Sequence, residues 1–276
     1  MLIDFHTHIF PDKIAKSTIE LLEKNSDTHA YTDGTDLGLV KEMERGNADI
    51  CITLHVLTKP SQFDSVAHYA MAINEKYKNA KRRLISFGGI HPACDNIKEK
   101  MRYLRDNGFK GVKIHPDYQR TFINDEGYLQ IISAAKDNDM IVVTHAGVDY
   151  GYLDAPVRCT PLLSSEVMKK IPYSKFVLGH YGAHQEWGDV LKLLCDFDCY
   201  FDTAFTFHEI QKDLFIKIME KHGADKILFA TDCPWRDIKE DYETLSSYNL
   251  KQEDFEKITY KNALKLLNLE KEYAMQ

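Results

Sequence analysis

The sequence predicts a single-domain (β/α)8 TIM barrel that spans residues 1–276. Its length of 276 residues suits one such barrel, a fold of about 250 residues. Apolar, strand-like runs alternate with helix-period runs along the whole chain, which is typical of a parallel sheet with crossover helices. Several of the strand-like runs also end in histidine or aspartate, and barrel enzymes carry their functional groups at these strand ends.

Eight apolar runs are the predicted strands of this barrel. They cover residues 2–8, 48–55, 84–90, 110–115, 140–145, 175–180, 198–203 and 226–232. Eight strands of this kind, each followed by a crossover, close into a barrel.

Amphipathic segments between the strands are the predicted helices. Residues 12–25 place Ile14, Thr18, Leu21 and Leu22 on one face. Asp95 is a candidate cap for the helix that follows it and ends before Gly108. The same periodicity recurs over residues 126–138, 184–196 and 208–222.

The longest connection, residues 9–47, contains a helix, a polar stretch and a second helical pattern. It forms either a mobile flap over the barrel rim or a surface decoration, and the sequence leaves both interpretations open. Low-complexity segments, linkers and repeats are absent from the sequence, so we expect one domain.

Composition restricts the class of partner. The 44% hydrophobic and 28% charged residues indicate an ordinary globular protein, and the net charge of −7 argues against nucleic acid or an anionic membrane. The sequence lacks a signal-peptide pattern and a stretch of about 20 apolar residues, so we expect a cytoplasmic protein. The six cysteines form no C-x-x-C pair, which favours reduced, buried thiols. A small-molecule substrate is expected, and homo-oligomerisation stays open.

Histidines at strand ends are the strongest functional signal in the sequence. His6 and His8 are two residues apart on a strand and therefore share a face. His145 and His180 end two further strands, and Asp232 ends the last one. Imidazoles with one carboxylate suit Zn²⁺, with Fe²⁺, Mn²⁺, Co²⁺ or Ni²⁺ as alternatives. Such a metal lowers the pKa of bound water from about 16 towards 7, which predicts a metal-dependent enzyme.

The motifs that carry these residues resemble the amidohydrolase superfamily of metal-dependent barrels. The resemblance rests on DFHTH at 4–8, GVKIHP at 111–116, THAG at 144–147, GHYG at 179–182, ATDCPW at 230–235 and NALKLL at 262–267. It covers essentially the whole chain. It is strongest to the amidohydrolase-related branch that includes aminocarboxymuconate semialdehyde decarboxylase and pyrone-dicarboxylate lactonase.

The resemblance implies roles for the strand-end residues. His6, His8, His145 and Asp232 would bind one zinc ion per chain, and His180 would act with Asp232 in proton transfer. Binuclear members place a carboxylated lysine or a glutamate on strand four, where this chain has Lys113, so a second metal held by His145 and His180 is the alternative.

Further polar and aromatic residues near strand ends are candidates for binding the substrate or a second metal. These are Lys113, His115, Arg158, Arg236 and Trp235, and Asp202 is a candidate for contacting a metal ligand or the substrate. Guanidinium groups suit a carboxylate, which predicts a small anionic substrate.

The reaction itself stays open at this stage. We expect hydrolysis of an amide, ester or lactone bond, with non-oxidative decarboxylation of an unsaturated or aromatic acid as the alternative. Phosphoester hydrolysis remains open for a binuclear site. A catalytically silent barrel is disfavoured because every expected ligand is present.

Overall fold

Eight parallel strands form the centre of the computed structural model, which describes residues 1–273. They are β1 (Ile3–Thr7), β2 (Ile50–Leu54), β3 (Arg83–Gly89), β4 (Gly111–Ile114), β5 (Ile141–Thr144), β6 (Phe176–Leu178), β7 (Tyr200–Asp202) and β8 (Ile227–Leu228). Each lies within or overlaps one of the eight predicted strands.

Strand pairing follows chain order from β1 to β8, and every pair is parallel. The sheet then returns to its first strand. The Phe5 amide donates to the Phe229 carbonyl at 2.9 Å, and Thr7 bridges Cys233. The result is the nearly closed, single-domain (β/α)8 barrel that the alternation of strands and helices predicts.

Helices connect the strands on the outside of the barrel. They are α1 (Asp12–Ser26), α2 (Asp36–Gly46), α3 (Phe63–Tyr77), α4 (Ile97–Asp106), α5 (Glu126–Asp137), α6 (Pro161–Lys170), α7 (Trp187–Leu193), α8 (Lys212–His222), α9 (Ile238–Ser247), α10 (Gln252–Glu256), α11 (Asn262–Leu266) and α12 (Glu270–Tyr273). Short 3-10 turns lie at Pro60–Gln62, Tyr150–Tyr152 and Ala224–Lys226, and a π-helical turn at Lys257–Lys261 joins α10 to α11.

Two apolar layers stabilise the fold. The layer inside the barrel includes Ile3, Phe5, Val143 and Leu228, and α11 adds Leu264 to it from below. A larger layer fills the space between strands and helices. Side chains alternate along a strand, so every second residue from a member of the inner layer also points into the barrel. The polar residues at such inward positions, nearest the carboxyl ends of the strands, form the candidate site.

The first connection lies over the carboxyl ends of the strands. Helix α1 contacts the turn Tyr150–Tyr152, which follows β5 on the opposite side of the barrel. The Tyr31 amide, beyond α1, donates to the Pro234 carbonyl at 2.7 Å, after β8. The part of this connection around α1 and Tyr31 therefore covers the barrel mouth and is more than a surface decoration, whereas α2 packs against α9 on the outside of the barrel. Mobility of this segment stays a prediction.

Two local expectations about helices were wrong. Helix α1 buries Ala15 and Ile19, whereas Ile14 and Leu21 are 48% and 57% exposed. Its packing surface is set by a loop across the mouth and not by a sheet, which shifts the buried face. The residue that caps α4 is Asn96, in a left-handed conformation and without a side-chain cap, and Asp95 lies one position earlier.

The structure also bears on the cysteines and on the length of the helices. All six cysteines are free and buried. Among residues 1–273, none of the helices combines the length and the apolar character that crossing a bilayer requires.

Candidate metal centre

Three side chains from the two strands at the seam of the barrel converge at its mouth. His8 Nε2 lies 3.0 Å from Asp232 Oδ1, and His6 Nε2 lies 3.4 Å from the same oxygen. Asp232, beyond the end of β8, has a φ of 71°, and this left-handed backbone is uncommon for a residue other than glycine. The ligand atoms of the three residues all lie within 4.8 Å of one another, a spacing that suits one metal ion.

Hydrogen bonds fix which nitrogen of each imidazole carries the proton. His8 Nδ1 donates to the Leu54 carbonyl at 2.8 Å, and His6 Nδ1 donates to Asp202 Oδ2 at 2.9 Å. Burial lowers the pKa of His6 well below its ordinary value, which keeps that ring neutral. In the neutral form of each ring, Nε2 therefore carries a lone pair directed towards the Asp232 carboxylate. Acceptors that converge in this way require a cation between them, so these residues fit a divalent metal.

The Asp232 carboxylate is held in its charged form. Its burial opposes ionisation, and protons on the His6 and His8 rings lower its pKa to about 2. With those rings neutral, a bound cation would supply the same positive charge. An ionised carboxylate and neutral imidazoles are the protonation states that a metal site needs.

A β-bulge in β1 turns its histidines into the barrel. Ile3 and Phe5 belong to the inner apolar layer, so strict alternation would point His6 outward. Between Asp4 and Thr7, however, β1 has one more residue than the facing segment of β2. The extra residue reverses the alternation, and His6 faces Lys113 and Asp202 inside the barrel. The sequence shows that His6 and His8 share a face, but it does not reveal this bulge.

Lys113 points inward from β4 and reaches the candidate centre. Its Nζ lies 2.9 Å from His6 Nε2, the nitrogen that faces Asp232, and the residue is 1% exposed. Burial lowers the pKa of Lys113 to about 8. The ammonium therefore supplies part of the positive charge that the converging acceptors require.

His180 stands between His6 and His145. Its ring centroid is 5.4 Å from that of His6 and 4.5 Å from that of His145. His180 Nδ1 donates to the Ala204 carbonyl at 3.0 Å, and its Nε2 lies 2.8 Å from His145 Nδ1. Burial lowers the pKa of His180 to about 4. Of the four predicted ligands, the structure thus brings His6, His8 and Asp232 together and places His145 one ring further away.

His145 belongs to a second group of candidate ligand atoms with His115 and Asp149, again within 4.8 Å of one another. The rings of His115 and His145 stack with centroids 4.3 Å apart, and Tyr118 stacks on the other face of His115 at 4.0 Å. His115 Nε2 lies 3.5 Å from Asp149 Oδ2. The predicted candidate His115 is therefore adjacent to a predicted metal ligand and not to the three converging residues.

The two arginines predicted to bind a substrate anion are both paired with buried carboxylates. Arg158 Nη1 donates to Asp117 Oδ1 at 3.2 Å, and Arg236 Nη2 donates to Asp241 Oδ1 at 2.8 Å. Trp235 is half-buried, and its amide donates to the Asp232 carbonyl at 2.9 Å. These arginines already have their charge balanced, which weakens the argument that they bind substrate.

Glu209 organises a polar network that the sequence does not reveal. Its carboxylate accepts from Tyr150 Oη at 2.6 Å, from His184 Nε2 at 3.0 Å and from Gln185 Nε2 at 3.1 Å. These partners lie in the connections after β5 and β6, while Glu209 follows β7. Glu209 falls in a segment with helical periodicity, and that pattern carries no signal for a contact between loops.

Comparisons with known proteins agree with this fold. A 2,6-dihydroxybenzoate decarboxylase from Rhizobium is 15% identical, with a TM-score of 0.67, 98% of this chain covered and 99% of that one. A 5-carboxyvanillate decarboxylase from Sphingomonas paucimobilis is 13% identical, with a TM-score of 0.68 and coverage of 97% and 98%. A dihydroxybenzoic acid decarboxylase from a Polaromonas species, with bound manganese, is 15% identical, with a TM-score of 0.69 and 97% of both chains covered.

The curated proteins include no sequence that matches this chain. The sequence model described as amidohydrolase, in contrast, matches residues 3–269, from the first residue of β1 almost to the end of the described chain. This match spans all eight strands and every residue of the candidate metal centre. The chain is therefore a member of the amidohydrolase family.

Proposed function

We propose that this protein is a divalent-metal-dependent decarboxylase that removes CO₂ from a small unsaturated or aromatic carboxylic acid without oxidation. The observation that carries the proposal is the convergence of His6 Nε2, His8 Nε2 and Asp232 Oδ1 beside His180. Three solved decarboxylases with the same fold over nearly their whole length support this reaction over hydrolysis. A small-molecule substrate fits an enzyme of this family.

His6, His8 and Asp232 would hold the metal, and His145 would complete the set from β5. Three imidazoles and a carboxylate suit zinc or manganese, and one of the similar decarboxylases was crystallised with manganese. We favour one ion per chain. The alternative is two ions. His145 Nδ1 and His180 Nε2, which are 2.8 Å apart, would hold the second ion, and Lys113 lies beside His6 at 2.9 Å. When bound, the ion would act as a Lewis acid that polarises oxygen atoms of the substrate.

Protein groups would bind the substrate and move its proton. Arg158 and Arg236 are already paired with carboxylates, whereas Lys113 lies beside the ligand atom His6 Nε2. Lys113 is therefore the cationic side chain that would attract the substrate carboxylate. In the reaction the bond to the carboxyl carbon breaks, CO₂ leaves, and the carbon that held it takes a proton. His180 and Asp232 are the two groups beside the metal position that would take up a proton from water or from a substrate hydroxyl and pass it to that carbon.

Product analysis separates decarboxylation from hydrolysis. The protein is loaded with Zn²⁺ or Mn²⁺ and incubated with hydroxybenzoic and unsaturated acids, and in parallel with lactones, amides and esters that carry a carboxylate. We expect CO₂ release from one or more acids. His8→Ala should abolish it, while His68→Ala, which removes an exposed histidine on α3, should not. Ring opening or amide cleavage without any CO₂ release would favour hydrolysis instead.

A further inference from the structure

Two buried polar atoms beside the metal centre face each other without a hydrogen-bond partner. His145 Nε2 and Asp117 Oδ2 are 4.0 Å apart, and neither has a partner among residues 1–273. His145 is 7% exposed and Asp117 is 2% exposed. An unpaired buried acceptor is costly, so such a pair indicates a group or a proton that arrives when the site is in use.

The hydrogen bonds around His145 show where its proton lies. His180 Nδ1 donates to the Ala204 carbonyl, so His180 Nε2 in the neutral ring is an acceptor. His145 Nδ1, 2.8 Å away, must therefore donate to it. This leaves a lone pair on His145 Nε2, opposite the carboxylate of Asp117. In this state the two facing atoms repel each other, and the nitrogen nearest His180 is blocked by its own proton.

Asp117 is held in place by its other oxygen. Arg158 Nη1 donates to Asp117 Oδ1 at 3.2 Å, and the same nitrogen lies 3.4 Å from the Pro156 carbonyl. Asp117 follows β4 and Arg158 follows β5, so the pair joins two loops at the rim. This pairing leaves Oδ2 as the oxygen that faces His145.

We infer that Asp117 is a positioning residue that orients His145 for metal binding, with Arg158 fixing the Asp117 carboxylate. The inference rests on the proposed role of His145 as a ligand. When His145 binds the metal through Nδ1, its proton moves to Nε2, and the ring stays neutral. That proton then points at Asp117 Oδ2, and an approach of about 1 Å brings the two atoms to hydrogen-bond distance. One tautomer change thus frees the ligand nitrogen and gives both unpaired atoms a partner.

The same gap could instead hold a second cation with His115 and Asp149. The Arg158 guanidinium already supplies a positive charge to Asp117, which makes this position less favourable for a metal than for a proton. Carboxylates that accept from the second nitrogen of a ligating histidine typically contribute 10–100-fold to metal affinity. A proton on His145 Nε2 is therefore the favoured occupant of the gap, and the experiment below distinguishes it from a second cation.

A double-mutant cycle tests whether Asp117 acts through His145. Co²⁺ is titrated into the metal-free wild type, Asp117→Asn, His145→Ala and the double variant, with affinity, stoichiometry and the visible spectrum of the bound ion recorded. We expect Asp117→Asn to weaken binding roughly 10–100-fold in the wild-type background and less than about threefold in the His145→Ala background. The stoichiometry should stay at about one ion per chain, as a single centre requires.

Four other results of the Co²⁺ titrations would each contradict one part of this inference or of the proposed function. An equal loss of affinity in both backgrounds would show that Asp117 acts only through its charge. A stoichiometry that falls from two to one in Asp117→Asn would place a second cation in the gap. Unchanged binding in Asp117→Asn would overturn the inference while leaving the metal centre intact. Failure of the wild type to bind Co²⁺ would instead overturn the proposed function.

Discussion

Replacing Asp202 with asparagine turns one oxygen of a fully buried carboxylate into an amide nitrogen at nearly constant volume. Asp202 Oδ2 accepts from His6 Nδ1 at 2.9 Å, while Oδ1 accepts from the amides of His180 at 3.0 Å and Ala204 at 3.1 Å. All three partners are donors. Whichever way the asparagine amide turns, its NH₂ group faces a donor, and rotation only moves the mismatch from one side to the other.

The cost of this mismatch should appear in metal affinity more than in stability. Asp202 orients His6 through Nδ1, and losing such a contact typically weakens metal binding 10–100-fold, or about 1.4–2.7 kcal/mol. For global stability, an unpaired buried donor costs about 1–3 kcal/mol. Burial raises the pKa of Asp202, so the charged carboxylate also carries a desolvation cost, and the neutral asparagine relieves it. The net change in unfolding free energy should therefore be smaller than the cost of the mismatch alone.

The measurement is a Co²⁺ or Zn²⁺ titration of metal-free Asp202→Asn against the wild type, with urea unfolding of both. Asp213→Asn, which changes an exposed carboxylate in the first turn of α8, is the matched control and should bind metal like the wild type. Wild-type affinity in Asp202→Asn would refute the claim that this hydrogen bond prepares His6 as a ligand.

Three further predictions concern the other parts of the site. His180→Asn should reduce turnover on the order of 10²–10⁴-fold with metal content unchanged, as measured by steady-state kinetics and metal analysis. Gly147→Ala adds a Cβ that overlaps the backbone of His184 at a φ of +85°, and should lower the unfolding free energy in urea by roughly 2–4 kcal/mol. Burial opposes the ionisation of Glu209, but the hydrogen bonds that it accepts, from His184 first, lower its pKa to about 2. Glu209→Gln should therefore lower the urea midpoint of unfolding at neutral pH, and the difference between the two midpoints should shrink below pH 4.5.

Each of these predictions has a direct control or a contradicting result. Loss of metal in His180→Asn would favour two ions per chain, and an unchanged rate would remove His180 from the mechanism. The control for Gly147→Ala is Gly188→Ala. Gly188 lies in α7 with open space where a Cβ would be, so this substitution should raise the unfolding free energy by about 0.5–1 kcal/mol. The sign for Glu209 follows from its depressed pKa, because the stabilisation is present above the ordinary value of 4.5 and is lost as pH falls towards 2. A difference that stayed constant down to pH 3 would contradict it.

The strand ends could be predicted from the sequence because parallel strands are buried on both faces. An uninterrupted apolar run predicts a buried strand, and the polar residue at which the run stops, such as His145 or Asp232, marks the carboxyl end of that strand. In a barrel these ends form the rim, so the polar side chain faces the mouth. The presence of Lys113 on an inward position follows from the same alternation, two residues before His115.

The contacts between loops could not be predicted, because they depend on distances across the barrel. Nothing in the local pattern shows that Arg158 meets Asp117 or that Arg236 meets Asp241, so both arginines looked available for a substrate. The bulge in β1 is equally hidden, although it alone turns His6 inward. The buried face of α1 is set by a loop across the mouth, and a periodicity search assumes a sheet beneath the helix.

The metal content of the purified protein shows whether His6, His8 and Asp232 hold a divalent ion, on which the proposed function depends. Elemental analysis should find about one zinc or manganese ion per wild-type chain, in line with a single centre. His68→Ala should keep that ion, whereas the double variant His6→Ala/His8→Ala should lose it. Full metal content in the double variant would contradict the account, because the ion would then be bound elsewhere.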